Sequence, residues 1–190
     1  MPTATPEDLA AATIETVRAG ARVINLSVAL VQPSPRGERA IEAALSFAAQ
    51  KGAVVVAAAG NQGAMGGTAI TRHLTVIPVA ACDRHGRPAA GTNLGGSIGR
   101  RGLSAPGEDV ASLGTNGAPR VLGGTSAAAP FVTGAVALLW SLFPAASASQ
   151  IKLAVTQSVT HRRNSVVPPL LDAWAAYEAL AGRHGGNLGR

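Results

Sequence analysis

Apolar segments without polar alternation recur along the first half of the chain, with amphipathic segments between them. The segments 53–58 and 76–80 are continuous apolar runs, which are typical of strands buried on both faces, and 23–28 is a further strand candidate. Between these strands, 38–50 places its apolar residues on one helical face. This order predicts an α/β fold with a parallel β-sheet flanked by helices. The Gly-, Ser- and Pro-rich region 83–124 predicts loops and short edge strands.

Further helices are predicted at both ends of the chain. Residues 5–8 read Thr-Pro-Glu-Asp, a capping residue followed by proline and acids, and they begin a first helix that Gly20 ends. A long apolar helix is predicted over 126–143, and shorter ones over about 149–158 and 171–181.

The composition is that of one compact domain. Of 190 residues, 47% are hydrophobic and 14% charged, so we expect a single domain over 1–182 and a flexible tail over 183–190. The net charge of +6 comes from dispersed arginines without interleaved aromatic residues, which argues against nucleic acid as a partner. The single Cys82 excludes an intrachain disulfide and a cysteine-rich metal site, and we expect it to be a small buried hydrophobe.

Neither a targeting signal nor a membrane partner is expected. The residues after Met1 contain no basic start and no apolar stretch, so no secretory signal is visible, and the protein stays inside the cell if Met1 is its genuine start. The apolar run 127–142 is shorter than the roughly 20 residues of a membrane span and contains Pro130. It therefore predicts a buried helix.

The segment 123–134 carries the first candidate for chemistry. Gly123 and Gly124 permit a tight turn, and Ser126 follows at the start of the long helix, where free N–H groups favour developing negative charge. This placement suits a nucleophile. A capping serine is an equally good interpretation of the segment alone. Phosphate binding is a third, although the lysine of a phosphate-binding loop is absent.

Asn61 is the second candidate. It follows a predicted buried strand, and ligands of parallel sheets bind beyond the carboxyl ends of such strands. Its amide N–H₂ group could donate a hydrogen bond to an oxyanion in the same crevice as Ser126. The alternative is that Asn61 only caps a turn, as asparagine before glycine often does.

Together the two segments resemble the subtilisin-like serine peptidases. Residues 124–134 read Gly-Thr-Ser-x-Ala-x-Pro-x-Val-x-Gly and residues 58–61 read Ala-Ala-Gly-Asn. Segment 23–27 resembles the substrate-binding strand of this family, and 103–107 its Ala-Pro-Gly turn. The resemblance covers about 21–181 and implies the later, C-terminal half of a catalytic domain, with a sheet that is incomplete on its N-terminal side.

A narrower resemblance is to the subtilases of cyanobactin-type peptide maturation, carried by residues 76–83, 86–88 and 93–100. The family resemblance implies Ser126 as nucleophile and Asn61 with the Ser126 N–H as oxyanion hole. It also implies a set of residues that contact a peptide or protein substrate: Ser27, Val28, Ala29, Ala58, Ala59, Gly60, Gly124 and Thr125. Two departures are Val28-Ala29 in place of Leu-Gly, and Phe131 in place of a common histidine.

The acid and base of the catalytic triad have no counterpart in the sequence. No histidine or aspartate lies in the glycine-rich context that the family shows, including His73, His85, His161 and His184. Calcium is frequent among relatives, but no carboxylate cluster for it is identified and no cofactor is expected. Without a base the chain alone should be nearly inert.

Three explanations for the incomplete triad remain open. The chain is a fragment of a longer peptidase, a half that pairs with another chain supplying Asp and His, or a degenerate relative kept for peptide binding. The first is favoured because Met1 lies directly before a helix of the middle of the domain.

Overall fold

The computed structural model describes residues 4–28, 34–157 and 165–185. Seven helices and six strands are assigned in these ranges. The elements are, in chain order, α1 (Pro6–Arg18), β1 (Val23–Leu26), α2 (Pro35–Gln50), β2 (Val54–Ala58), α3 (Ala69–Arg72), β3 (Val76–Cys82), α4 (Gly96–Arg101), β4 (Leu103–Pro106), β5 (Val110–Leu113), β6 (Pro119–Leu122), α5 (Thr125–Leu142), α6 (Ala148–Gln157) and α7 (Ala173–Gly185).

The centre of the molecule is a parallel sheet with strand order β1-β2-β3-β4. Every residue of β2 and β3 is buried, as their continuous apolar sequences predict. The parallel α/β fold expected from the sequence is thereby confirmed. Cys82 is buried at the end of β3 and is a free thiol, as expected of a small hydrophobe.

Helices cover both faces of the sheet. Val55 and Ala57 of β2 join a core formed with α1 and α2, whereas Val54, Val56 and Ala58 join the core of α5, α6 and α7. The alternation of side chains along a strand explains this division. The α1/α2 face and the α5/α6/α7 face are therefore two separate hydrophobic layers on one sheet.

Helix α5 runs along β1 in the opposite direction. Ser126, Thr133 and Trp140 lie seven residues apart and contact Ser27, Asn25 and Arg22 in turn. The helix is long and apolar enough to span a membrane by length and composition. However, Val132 and Val136 are fully buried against the sheet, so α5 serves as a core helix in this fold.

The region 83–124 contains more regular structure than its composition indicates. Residues 103–106 form β4, which pairs with β3 and fully buries Leu103 and Ala105. Helix α4 precedes it, and β5 and β6 form a separate antiparallel hairpin. Short elements interrupted by Gly and Pro give too little periodicity for recognition.

The end of the chain also differs from expectation. The last helix continues to Gly185 rather than ending near 181, so it overlaps the tail predicted over 183–190. Residues 186–190 lie outside the described ranges, and flexibility of the tail stays a prediction.

Candidate active site

Ser126 lies in the first turn of α5 with an exposed side chain. Its Oγ donates to the Ser27 carbonyl at 3.5 Å, while Ser27 Oγ donates to the Ser126 carbonyl at 3.3 Å. The first of these bonds is at the limit of a hydrogen bond and weak. The hydroxyl is therefore accessible and only loosely held, between the end of β1 and the start of α5.

The Asn61 amide is fixed against the residue before Ser126. Its Oδ1 accepts the Thr125 backbone N–H at 2.8 Å and the Thr125 hydroxyl at 3.0 Å. Because both Thr125 groups are donors, the amide atom that faces them is the oxygen. The amide Nδ2 therefore points outward and is available as a donor. Asn61 is itself exposed, so this N–H₂ group can reach a ligand.

A second donor comes from the helix terminus. The first-turn N–H groups of Thr125, Ala127 and Ala128 donate to Asn61 Oδ1 or to the Gly124 carbonyl. Among the residues that the structure describes, no acceptor is assigned to the Ser126 N–H. A helix N-terminus carries partial positive charge, so this N–H and the Asn61 amide can stabilise an oxyanion together.

Two glycines with positive φ allow the loop after β2 to approach the start of α5. Gly60 has φ 108° and Gly124 has φ 86°, values that side-chain-bearing residues rarely adopt. A Cβ on Gly124 would come within 2.9 Å of the Asn61 amide, and one on Gly60 would clash with Asn93 Nδ2. Glycine is therefore required at both positions.

Asn93 is a supporting residue that the sequence analysis missed. It is 8% exposed, and its Oδ1 accepts the N–H groups of Gln62 and Ala64 at 3.0 and 2.9 Å. Its Nδ2 donates to the Ala59 carbonyl and to Gln62 Oε1. One side chain thus holds both sides of the loop that carries Asn61. In the sequence it is an asparagine within a polar loop, at the start of the segment 93–100 that carries the narrower resemblance.

Two further residues that the sequence did not indicate, Thr133 and Asn25, position Ser27. Thr133 of α5 donates its hydroxyl to Asn25 Oδ1 at 2.9 Å, and Asn25 Nδ2 donates to Ser27 Oγ at 2.8 Å. Ser27 Oγ in turn donates to the Ser126 carbonyl. This series of hydrogen bonds locks the end of β1 to the first turn of α5.

The residues predicted to contact substrate differ in accessibility. Val28 is 43% exposed and Ser27 half-buried at the end of β1, whereas Ala58 and Ala59 are buried. Thr125 is fully buried, so its side chain supports Asn61.

Backbone groups of Gly60, another residue predicted to contact substrate, are also hydrogen-bonded within the protein. The Gly60 N–H donates to Thr125 Oγ1 and is therefore not left for pairing with a peptide, while the Gly60 carbonyl accepts from Asn93 N. Ala29 lies outside the described residues. Substrate contact by this whole set stays a prediction.

The histidines of the described residues are engaged elsewhere. His73 contacts Ser46 at 3.1 Å and Thr75 at 2.8 Å, and burial lowers its pKa. His85 accepts a hydrogen bond from Arg84. His161 lies outside the described residues, and the side chain of His184 is likewise not described.

Three of the four aspartates, Asp8, Asp83 and Asp172, have structural contacts instead. Asp8 caps α1 through Thr5, and Asp172 accepts from the Ala175 N–H at the start of α7. Hydrogen bonds from the Arg87 backbone first, and then from its side chain and the His85 N–H, lower the pKa of Asp83 to about 2. In the parts of the chain that the structure covers, neither a histidine nor a carboxylate is hydrogen-bonded to Ser126.

A cavity of about 440 Å³ opens beside Asn61 and Gly124. The β5–β6 hairpin supplies Val121 and Leu122 to its wall, and Glu108 and Asp109 also line it. Within the described ranges no three His, Cys, Asp or Glu side chains lie close enough together to hold a metal ion.

Two solved structures are similar over nearly the whole chain. The prenylagaramide maturation protease PagA superimposes with a TM-score of 0.86 at 28% identity, covering 96% of this chain and 70% of that one. The patellamide maturation protease PatA gives a TM-score of 0.80 at 29% identity, covering 94% and 70%. The resemblance to maturation-type subtilases is confirmed by these likenesses.

Curated sequences give the same relationship. Subtilisin DY of Bacillus licheniformis is 35% identical over 150 residues, which cover 77% of this chain and 52% of the relative. The thermostable alkaline protease of Halalkalibacterium halodurans is 35% identical over 139 residues, 73% of this chain and 37% of the relative. The chain thus spans between about a third and a half of these relatives. Residues 2–172 match the model of the subtilase family, Peptidase_S8, and the chain therefore belongs to the subtilase family of serine peptidases.

Proposed function

We propose that this chain contributes the nucleophile and the oxyanion hole of a serine endopeptidase whose aspartate and histidine lie outside it. The observation that carries the proposal is the fixed orientation of the Asn61 amide next to an exposed serine at a helix N-terminus. Such an arrangement of hydrogen-bond donors is complementary to a tetrahedral oxyanion and does not suit a metal ion.

In the proposed reaction Ser126 Oγ attacks the carbonyl of a peptide bond and loses its proton to the external histidine. The negative oxygen of the intermediate is stabilised by Asn61 Nδ2 and the Ser126 N–H. The histidine then protonates the departing amine, and water releases the acyl group from Ser126. Ser27 and Val28, at the exposed end of β1, are positioned to contact the acyl side of the substrate.

The substrate class is proposed as peptide or protein. The support is the family and the likeness to two proteases that are named for the maturation of prenylagaramide and patellamide. Neither calcium nor another cofactor has a part in the proposed step. A catalytically inactive module that only binds peptide is the alternative, and it is equally consistent with the engagement of His73 and His85 away from Ser126.

A fluorophosphonate probe tests the proposal, because it reacts with a serine whose base and oxyanion hole are both in place. We expect Ser126 to react slowly in the isolated chain, since without a triad only about 10³–10⁴-fold acceleration over water remains. When a segment that supplies Asp and His is fused ahead of the chain, labelling should rise by several orders of magnitude. Mass spectrometry of the labelled peptide identifies the site.

Two variants serve as controls for this labelling. Ser126→Ala should abolish it, and Asn61→Ala should slow it by about 10²–10³-fold, the loss known for the corresponding donor in a subtilisin. Equal and negligible labelling of the isolated and fused chains would favour the peptide-binding module.

A further inference from the structure

The cavity beside Asn61 has a definite place relative to the proposed reaction. Ser27 follows β1 and Asn61 follows β2, whereas the cavity wall includes Ala81 of β3 and Gly107, which follows β4. Because the strand order is β1-β2-β3-β4, the cavity lies on the side of Asn61 that faces away from β1. A substrate whose acyl side contacts the end of β1 therefore extends its leaving-group side toward this cavity.

The distance along the substrate is short. The cavity is bordered by Gly124, two residues before Ser126. An extended peptide advances by about 3.3 Å per residue, so the first two residues after the cleaved bond are those that reach the cavity.

Small residues and an apolar wall leave room for a long side chain. Half of the residues that line the cavity are glycine or alanine, namely Gly91, Gly107, Gly123, Gly124, Ala81 and Ala89. Val121 and Leu122 of the β5–β6 hairpin supply apolar surface beside them. An aliphatic stem that enters the cavity can contact this surface along its length.

The charge of the cavity comes from two carboxylates. Glu108 and Asp109 line it, and the other residues of its wall are uncharged. Both are exposed, and within the ranges that the structure describes neither forms an ion pair. The cavity therefore combines an apolar wall with unpaired negative charge.

Two arginines lie near these carboxylates. Arg84 and Arg87, together with Asp83, line a second cavity that shares Glu108 and Asp109. Arg87 is paired with Asp83 at 2.7 Å, so its charge is balanced. With the one histidine of that cavity neutral, three carboxylates face two guanidinium groups. The net charge around Glu108 and Asp109 therefore stays negative.

We propose that Glu108 and Asp109 select substrates with a lysine or an arginine among the first two residues after the cleaved bond. The aliphatic stem of such a side chain lies along Val121 and Leu122, and its cationic group lies against the two carboxylates. This inference rests on the proposed function, because it names the peptides that the Ser126 site cleaves.

The expected preference is moderate because the carboxylates are exposed. An ion pair at an exposed position changes affinity by about 1.5-fold to fivefold. Repulsion of an acidic side chain acts in the same direction, since like charges brought together disfavour the wrong partner. For the two carboxylates together we expect lysine to be favoured over glutamate by about tenfold.

Competition between peptides tests this preference. The fused chain that includes the segment with Asp and His receives an equimolar mixture of alanine peptides that each carry one lysine, norleucine or glutamate. Mass spectrometry identifies the cleaved bonds. Cleavage should be about tenfold more frequent where lysine rather than glutamate is among the first two leaving-group residues, with norleucine, an uncharged stem, between them. Equal use of the three would overturn the proposal.

Neutral variants locate the source of the preference, and the ratio of lysine to glutamate cancels changes in folding or overall activity. Glu108→Gln and Asp109→Asn should each lower this ratio about threefold, and together bring it close to one. Asparagine suits position 109 because its φ of 50° lies in the left-handed region that asparagine tolerates. Glu15→Gln on α1 changes the net charge equally and should keep the wild-type ratio. An equal fall in that variant would contradict the proposal.

Charge reversal and salt give a further check. Glu108→Lys combined with Asp109→Asn should favour glutamate over lysine. High salt should lower the wild-type ratio, because exposed charges are screened. A preference that survives both changes would come from the shape of the cavity and would overturn the role of the carboxylates.

NMR of the isolated chain separates this inference from the proposed function, because binding in the cavity does not require the external Asp and His. The lysine peptides should shift the amide signals of Glu108, Asp109 and Leu122 more than the glutamate peptides do. Such shifts without cleavage by the fused chain would support the inference and contradict the proposed catalysis. Cleavage with equal use of all three peptides would do the reverse, and neither shifts nor cleavage would contradict both.

Discussion

Thr125 shows how one buried side chain sets the chemistry of its neighbours. Its hydroxyl accepts the Gly60 N–H at 3.1 Å and donates to Asn61 Oδ1 at 3.0 Å, and the residue is fully buried. The hydroxyl thus joins the loop after β2 to the N-terminus of α5. Without it, the Gly60 N–H would have no acceptor and the Asn61 amide would lose one of its two orienting bonds.

We therefore expect Thr125→Val to lower the free energy of unfolding by about 1–3 kcal/mol, because it leaves a buried donor unsatisfied. Thr125→Ser keeps the hydroxyl and removes one methyl group, so its loss should be about 1 kcal/mol. Urea unfolding followed by circular dichroism measures both. Greater stability of the valine variant than of the serine variant would show that the hydroxyl is dispensable.

At the scale of elements, two basic side chains hold the region between α3 and β3. Lys152 of α6 donates to the Leu74 carbonyl at 2.8 Å, and Arg101 donates to the Arg72 carbonyl at 2.8 Å. Burial, and then the charge of Arg101, lowers the pKa of Lys152 to about 8. The ammonium group therefore binds α6 to the segment between α3 and β3, while burial disfavours its charge in the folded state.

This lowered pKa predicts a rise in stability with alkaline pH. Below pH 8 Lys152 is protonated in both states, and the folded state bears the full penalty of its burial. Between about pH 8 and 10.5 the folded state releases the proton first, so the unfolded state binds more protons and stability increases. Wild type should become more stable relative to Lys152→Met across this window.

Urea unfolding at pH 7, 8, 9 and 10 compares the two proteins. The other lysine, Lys51, is present in both and cancels in the difference. A difference that is constant from pH 7 to 10 would mean that Lys152 titrates normally in the folded protein.

Across the whole molecule, burial is distributed unevenly. All residues of β3 are buried, whereas all residues of β6 are exposed, and Leu113 and Val121 of the hairpin are 73% and 67% exposed. The hairpin nevertheless forms one wall of the cavity beside Asn61. The serine at the start of α5 and the amide after β2 thus lie next to the buried core, and a weakly packed hairpin borders the space beside them.

We expect amides of β5 and β6 to exchange at least about 10²-fold faster than those of β2 and β3, because local opening of the hairpin exposes little apolar surface. Hydrogen exchange with mass spectrometry measures this difference. If the hairpin were as protected as β3, the cavity wall would be part of the rigid core.

The sequence by itself determined the α/β class, the buried strands and the two candidate residues of the site. Strands such as β2 are recognised because a strand buried on both faces is uniformly apolar. Ser126 and Asn61 are recognised because glycine-bounded motifs mark tight turns at a helix start and a strand end. These are local signals, each contained in about ten residues.

Only the tertiary structure decided how those residues are held. Asn93 bonds to a loop 29 to 34 residues away, and Thr133 bonds to Asn25 across 108 residues. Nothing local distinguishes these side chains from ordinary polar ones, because their partners come close only when the sheet has assembled. The outward direction of the Asn61 amide likewise follows from its contact with Thr125 at the start of α5, for which no local sequence pattern exists.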